Sequence, residues 1–368
     1  MARPDSATEA LVAPATTVRG APRLEWVDAA RGFCVAAVVL YHVVLWQVAA
    51  SPKESVDPPA RSLWGFVDAT LGSVRMPVLL AVSGLVLARQ VRAGVHRSTT
   101  VFRSLNSYYL YVVWLAIYAV FYAVLRTDGL PHRVDGVAVL RQLAVPDTTL
   151  WYVYALAVYT IMLAALSRVP PAIVLPALTA LTVVVHAAVD TNGQWVKVPE
   201  LFVFFAIGVY GSEMIRRLAE RASLVVLGVA AAAAVGVTAC GRFVGDGYGA
   251  GLLFVLRGAA FMVVCVVAVV LVVRWRPAAR LGVALGRRTL GVYVMHPLWI
   301  ALLLTAAGAW ASDAVANVLA SRLALVYPVV VTIAIIAASI GVQSGLGRAG
   351  ARWPFEMPAR WRHALGRP

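Results

Sequence analysis

Apolar residues in this chain come in long blocks, not at the two- or 3.6-residue spacing of an amphipathic strand or helix. Ten blocks, most of about 18 to 25 residues and so able to cross a hydrocarbon core of about 30 Å, lie near 32–50, 69–88, 107–125, 150–167, 170–187, 199–214, 223–241, 250–273, 289–308 and 318–342. Lipid offers the backbone no hydrogen-bond partner outside its own segment, so each block predicts a helix. The pattern predicts an all-α fold, a polytopic membrane helix bundle of about ten transmembrane helices. Three regions follow. Residues 1–22 are polar and rich in Pro and Ala, lack the apolar core of a secretory signal, and predict a disordered leader. Residues 23–342 form the membrane domain, and 343–368 a basic cytoplasmic tail. In that tail Trp353, Phe355 and Trp361 are interleaved with arginines, which places it on the inner membrane surface.

Composition sharpens the class. The 368 residues are 61% hydrophobic and 13% charged, with a mean hydropathy of +0.81. Soluble domains run at about 45–50% apolar and about 25% charged. A net charge of +15 would suggest nucleic acid in a soluble protein. Here its distribution follows topology, because Lys and Arg collect on the cytoplasmic side of membranes. With the N-terminus inside, the inner segments hold 22 Lys and Arg and the outer segments 7. That split supports an even number of spans with both termini cytoplasmic, and it removes the need for a nucleic-acid partner. Arg75, Arg257 and Arg322 remain, within or near the outer ends of spans. Cys34, Cys240 and Cys265 are scattered through apolar runs and read as packing residues. The six histidines have no metal-ligand spacing and no phosphate-cradling glycine motif appears, so neither a metal nor a bound cofactor is expected.

Chemistry enters in the first span, DAARGFCVAAVVLYH, residues 28–42. Arg31 and His42 are eleven residues apart, which on an α-helix is about 20° of rotation and about 16 Å of rise. One helix face therefore carries a cation at the inner interface and an imidazole near mid-bilayer, where ionisable groups are rare and usually face a bundle interior or a wet cavity. Taken singly, Arg31 reads as a topology anchor and His42 as a hydrogen-bonding staple. Their shared stripe is what points to a site.

The same stretch, WVDAARGFCVAAVVLYH, resembles the first-span signature of the membrane acyltransferase-3 family, Asp-x-x-Arg-Gly with a histidine ten intervening residues after the arginine; Asp28, Arg31, Gly32 and His42 match. MPVLLAVSGLVLARQ is similar to the family's second-span segment (Met76, Pro77, Ser83, Gly84), TLWYVYAL to the segment opening the fourth span (Trp151, Tyr152), and FFAIGVYGS to a sixth-span stretch. LGRRTLGVYVMHPLWI is similar to a ninth-span segment ending Tyr-x-x-His (Tyr293, His296). The likeness covers roughly residues 23–342, and the order of the segments carries it more than any one of them. One departure is that many members open the third span with Arg-x-x-Arg, implicated in acyl-CoA binding, whereas FRSLN keeps Arg103 and has Asn106 in second place. No appended hydrolase-like domain is seen, so the resemblance is to a stand-alone member.

This resemblance implies a multi-pass enzyme of the bacterial plasma membrane that moves an acyl group, acetyl in particular, from cytoplasmic acyl-CoA to a hydroxyl of a sugar, glycan or glycosylated small molecule. Acyl-CoA is then a donor substrate, not a cofactor. Arg31, Arg103, Arg287 and Arg288, with Arg97 nearby, are the expected contacts to its phosphates. Its pantetheine arm, about 15–20 Å when extended, matches the Arg31–His42 rise. His42 is the expected general base, since a neutral imidazole is the form that takes a proton from an attacking hydroxyl. Arg75, Trp151, Arg257 and His296 are the expected acceptor contacts. The competing reading is a ten-span transporter or exporter of a sugar-like or lipid-linked substrate, with RMPVLLAVSG as a broken helix on its path. It lacks a matching interrupted segment in the other half and gives no reason for the Arg31–His42 stripe.

Overall fold

The computed structural model describes residues 25–96, 98–125, 130, 136, 138–189, 193–359 and 361. The predicted leader lies outside the described residues, as do Arg23, Arg97, Arg126, Arg133, Arg360, Arg362 and Arg367 of the charge count. The described chain is all-α. Its helices are α1 (Glu25–Val43), α2 (Pro58–Arg92), α3 (Ser98–Leu125), α4 (Ala138–Gln142), α5 (Trp151–Ala165), α6 (Pro171–Ala188) and α7 (Lys197–Tyr210). They continue with α8 (Ser212–Glu220), α9 (Leu224–Cys240), α10 (Tyr248–Val272), α11 (Arg276–Gly286), α12 (Thr289–Ala306), α13 (Ser312–Ala320) and α14 (Tyr327–Arg348).

Among the described residues, eight helices are each long and apolar enough to cross a membrane. All ten predicted blocks contain helix, but two do not qualify as straight spans. Trp151–Ala165 is a shorter apolar helix, and the sixth block breaks into α7 and α8 at an angle of 66°. The break falls at Gly211, and Arg92 caps the end of α7 by donating from Nη2 to the Val209 and Tyr210 carbonyls at 2.8 and 2.7 Å. The tenth block is displaced. Pro328 opens a new helix at Tyr327, so the span runs to Arg348 instead of ending at 342. The second is extended toward the N-terminus, where the Asp57 carboxylate accepts from the Ala60 amide at 3.3 Å and Pro58 and Pro59 fill the first turn. Arg75, predicted near an outer span end, therefore lies midway along a 35-residue helix.

Small residues set the two closest crossings. A Cβ on Gly208 would lie 1.9 Å from the Ala81 carbonyl oxygen, and one on Gly84 would lie 2.1 Å from that of Phe205, so α2 and α7 meet backbone to backbone. In the same way Gly286 meets the Asp28 carbonyl and Gly32 the Gly282 carbonyl, which fastens α11 across α1 beside Arg31. The main core gathers Tyr111, Tyr118, Tyr159, Phe204, Phe205 and Ile300. Outside it, α9 exposes Leu224, Val225, Val229 and Val235, the surface of a helix solvated by lipid. The segment after α14 docks on α3. Tyr109 Oη and Trp114 Nε1 donate to the Trp353 and Pro354 carbonyls at 3.2 and 2.6 Å, and the Met357 amide donates to Asn106 Oδ1 at 3.2 Å. The predicted surface-lying tail is thus held on the bundle by side chains of the third span.

Candidate active site

His42 and His296 meet. His42 lies in the last turn of α1, where the helix widens into a π turn over Val44–Ala49, a distortion frequent at functional sites. His296 is fully buried in α12. His296 Nε2 lies 3.1 Å from His42 Nδ1, His296 Nδ1 lies 2.6 Å from the Tyr293 carbonyl oxygen, and His42 Nδ1 lies 2.9 Å from that of Val38. A carbonyl only accepts, so with both rings neutral the tautomers follow. His296 carries its proton on Nδ1 and accepts on Nε2. His42 carries its proton on Nδ1, shared between His296 and Val38, and keeps its lone pair on Nε2.

The predicted stripe leads to this pair. Half-buried Arg31 donates to Thr289 Oγ1 at 3.3 Å. From it a cleft of about 80 Å³ runs between Val35, Leu79, Ser107, Leu110, Tyr152, Leu156 and Leu290 to Tyr293, whose ring is 5.8 Å from that of His296. Its walls are tied together. Tyr152 Oη and Ser83 Oγ are 2.8 Å apart, Tyr293 Oη donates to the Thr149 carbonyl, and Tyr118 Oη donates to that of Val294 at 2.8 Å. On the other side of His42, Trp46 packs on its ring at 4.8 Å. Arg75 lies over Tyr41, the residue before it, at 3.3 Å.

The arginines predicted to hold a donor divide. Exposed Arg103 is one helical turn from Ser107 on the cleft wall. Arg287 lines a groove of about 310 Å³ with Glu25, Arg276 and Arg280 at the same end of the bundle. Arg288 turns away and donates to Ser344 Oγ at 2.5 Å. Of the other acceptor residues, Trp151 is buried beside Tyr152, with Lys197 Nζ 5.9 Å from its ring centroid. Arg257 is half-buried with an unpartnered Nε, next to Gly258, which abuts Phe204 and Pro77; among the described residues no contact joins it to His42 or His296.

A paired imidazole beside Tyr293, which lines one cleft with Arg31, is an arrangement for moving a proton beside an anionic substrate. A family model described as an acyltransferase domain matches residues 24–340. The chain belongs to the membrane acyltransferase-3 family. Neither the curated proteins nor the solved structures gave a match. The chain is accordingly a multi-pass membrane acyltransferase, and the transporter alternative loses its ground.

Sequence reasoning about this acyltransferase missed several residues at the site. Thr289 holds Arg31, Tyr41 carries Arg75, and Trp46 covers His42. None has a spacing that marks it, because each is defined by a neighbour on another helix. Lys197, one of only two lysines, was readable only as an outer charge; the structure puts its Nζ 2.5 Å from Gln194 Oε1 and near Trp151. Larger hollows of about 740 and 550 Å³ lie along α3, lined by Val112, Val113, Phe121 and Trp361 among others. They are apolar, face the bilayer and contain none of the predicted chemistry.

Proposed function

We propose that this acyltransferase moves an acetyl group from acyl-CoA, reaching it from the cytoplasmic side of the cell membrane, to a hydroxyl of a sugar, glycan or glycosylated small molecule, with His42 as general base. The observation that carries this reading is the 3.1 Å contact between His42 and His296, beside Tyr293 of the cleft that Arg31 also lines. Arg31, Arg103 and Arg287, all at one end of the bundle, receive the donor's phosphates. The thioester arm then threads the cleft. At about 80 Å³ the cleft holds only a few waters, so the arm enters as the leucines lining it swing aside.

The acceptor approaches from beyond the histidines, where Trp151 and Lys197 offer an aromatic face and a donor. His42 Nε2 takes the hydroxyl proton as the oxygen attacks the thioester carbon. CoA leaves as the thiolate and recovers that proton. His296 and the Val38 carbonyl, both accepting from His42 Nδ1, hold the ring and stabilise the imidazolium, the task an aspartate performs in hydrolase triads. His296 is therefore a positioning residue in this scheme, not an acceptor contact.

The test is free-CoA release by the purified protein in lipid, with acetyl-CoA and a panel of glycans. His42→Ala is expected to lower acceptor-dependent release by about 10²–10⁴-fold while acetyl-CoA still binds. Undiminished release would demote His42 to a structural staple.

A further inference from the structure

Arg75 is a buried cation without an ion pair among the described residues. It sits midway along α2 and is 7% exposed. Asp68, two turns toward the Pro58 end on the same helix face, acts on it only through space. Its Nη1 is engaged by the Leu71 carbonyl at 2.9 Å, and its Nε is buried without a partner. Its Cζ lies over the Tyr41 ring, 3.3 Å from the centroid, and the Tyr41 and His42 rings are 5.2 Å apart. The guanidinium is also close enough to Tyr293 and His296 for its charge to act on both. A cation held inside a bundle with no carboxylate in direct contact marks function, and arginine cannot shed its charge.

We propose that Arg75 is the oxyanion donor of the acyl transfer, an assignment that rests on the acyltransferase reading above. As the acceptor oxygen bonds to the thioester carbon and its proton passes to His42 Nε2, the carbonyl π pair moves onto the carbonyl oxygen. That oxyanion lies against the Nε–H of Arg75. The pair then returns, the C–S bond breaks, and the CoA thiolate takes the proton from His42, leaving an ester and a thiol with no further reactant. An attacking oxygen about 3 Å from its base and an oxyanion about 3 Å from its donor bridge two groups that flank one tyrosine ring. The Nε–H of Arg75 is unpartnered at rest and partnered only as the oxyanion forms, so the contact lowers the barrier without strengthening ground-state binding.

Carboxymethyl-CoA probes this without an identified acceptor, because it carries a carboxylate where acetyl-CoA has a neutral acetyl group. Wild-type protein in lipid nanodiscs is expected to bind it about tenfold or more tightly than acetyl-CoA. Arg75→Gln should erase the preference and leave acetyl-CoA affinity unchanged. Where the glutamine variant does not fold, Arg75→Lys keeps the charge, lacks the fixed planar donor, and should lose most of the preference. A preference that survives in the variants overturns the assignment, as does equal weakening of both ligands, which would make Arg75 a donor anchor. Equal binding of the two by wild type overturns it alone. Wild type that binds neither compound fails the acyl-CoA reading itself and takes the assignment with it.

Discussion

His296 accepts from His42 because its own proton is committed to the Tyr293 carbonyl. That places the prediction for this residue on one nitrogen. His296→Phe keeps a ring in a fully buried position and removes the acceptor. His42 would still find the Val38 carbonyl, but with freedom to rotate about it. The expected result is a fall in kcat of about ten- to a hundredfold, part of the ~10²–10⁴ that a positioned base supplies. KM for donor and acceptor should change little. His296→Gln, whose side-chain oxygen can accept from His42 Nδ1, is expected to recover part of the loss. Steady-state kinetics of the two variants decides it: equal loss in both would mean that filling space, not accepting a proton, is the role of His296. The sequence shows Arg31 and His42 as a pair because one helix's geometry relates them. It cannot show that His296 joins them from 254 residues away, nor that Arg75 shares a tyrosine with the base.

Helix identity was legible because lipid forces it, so an apolar block long enough to span has one backbone solution. Element ends were less so. Whether α7 runs straight depends on Arg92 reaching the Val209 and Tyr210 carbonyls, a contact between distant segments. The start of α2 depends on Asp57 and two prolines in a stretch that reads as loop. Glycine positions are visible in a sequence but their duties are not, and the α2–α7 crossing shows the difference. A methyl at Gly208 would strike the Ala81 carbonyl and one at Gly84 the Phe205 carbonyl, both backbone atoms that cannot rotate aside. Gly208→Ala is expected to destabilise the folded bundle by about 1–3 kcal/mol, seen as a lower midpoint of thermal unfolding in detergent. Gly228→Ala, on the lipid face of α9 with nothing within 4 Å of the new methyl, should leave the midpoint unchanged or raise it. A matching drop at both sites would mean that glycine flexibility, and not close approach, is what the bundle requires.

At the scale of the molecule, the docked tail and the orientation in the membrane can be tested with one position. Lipid is as apolar as the side chains the tail buries, so apolar burial alone gives Phe355 and Met357 little reason to prefer α3 over the bilayer. What fixes the tail is the polar contacts from Asn106, Tyr109 and Trp114. Asn106 stands where many members of the family carry the second arginine of the third span, so here the third span holds its own tail with that side chain. Two such bonds, at about 1 kcal/mol each, correspond to about a 30-fold shift in the docking equilibrium. A single cysteine in place of Met357, which docking buries, with Cys34, Cys240 and Cys265 replaced by alanine, reports both properties through a membrane-impermeant maleimide. The excess of Arg and Lys on inner segments predicts both termini cytoplasmic, and labelling should then occur in inside-out vesicles and not in right-side-out ones. Adding Asn106→Ala and Trp114→Phe should raise the labelling rate by about tenfold or more, short of the full shift because Tyr109 still holds the Trp353 carbonyl. An unchanged rate would mean that the tail is held by something other than these bonds. Labelling from the opposite side would turn Arg31, Arg103 and Arg287 outward, where cytoplasmic acyl-CoA cannot reach them, and the donor path through the cleft would have to be abandoned.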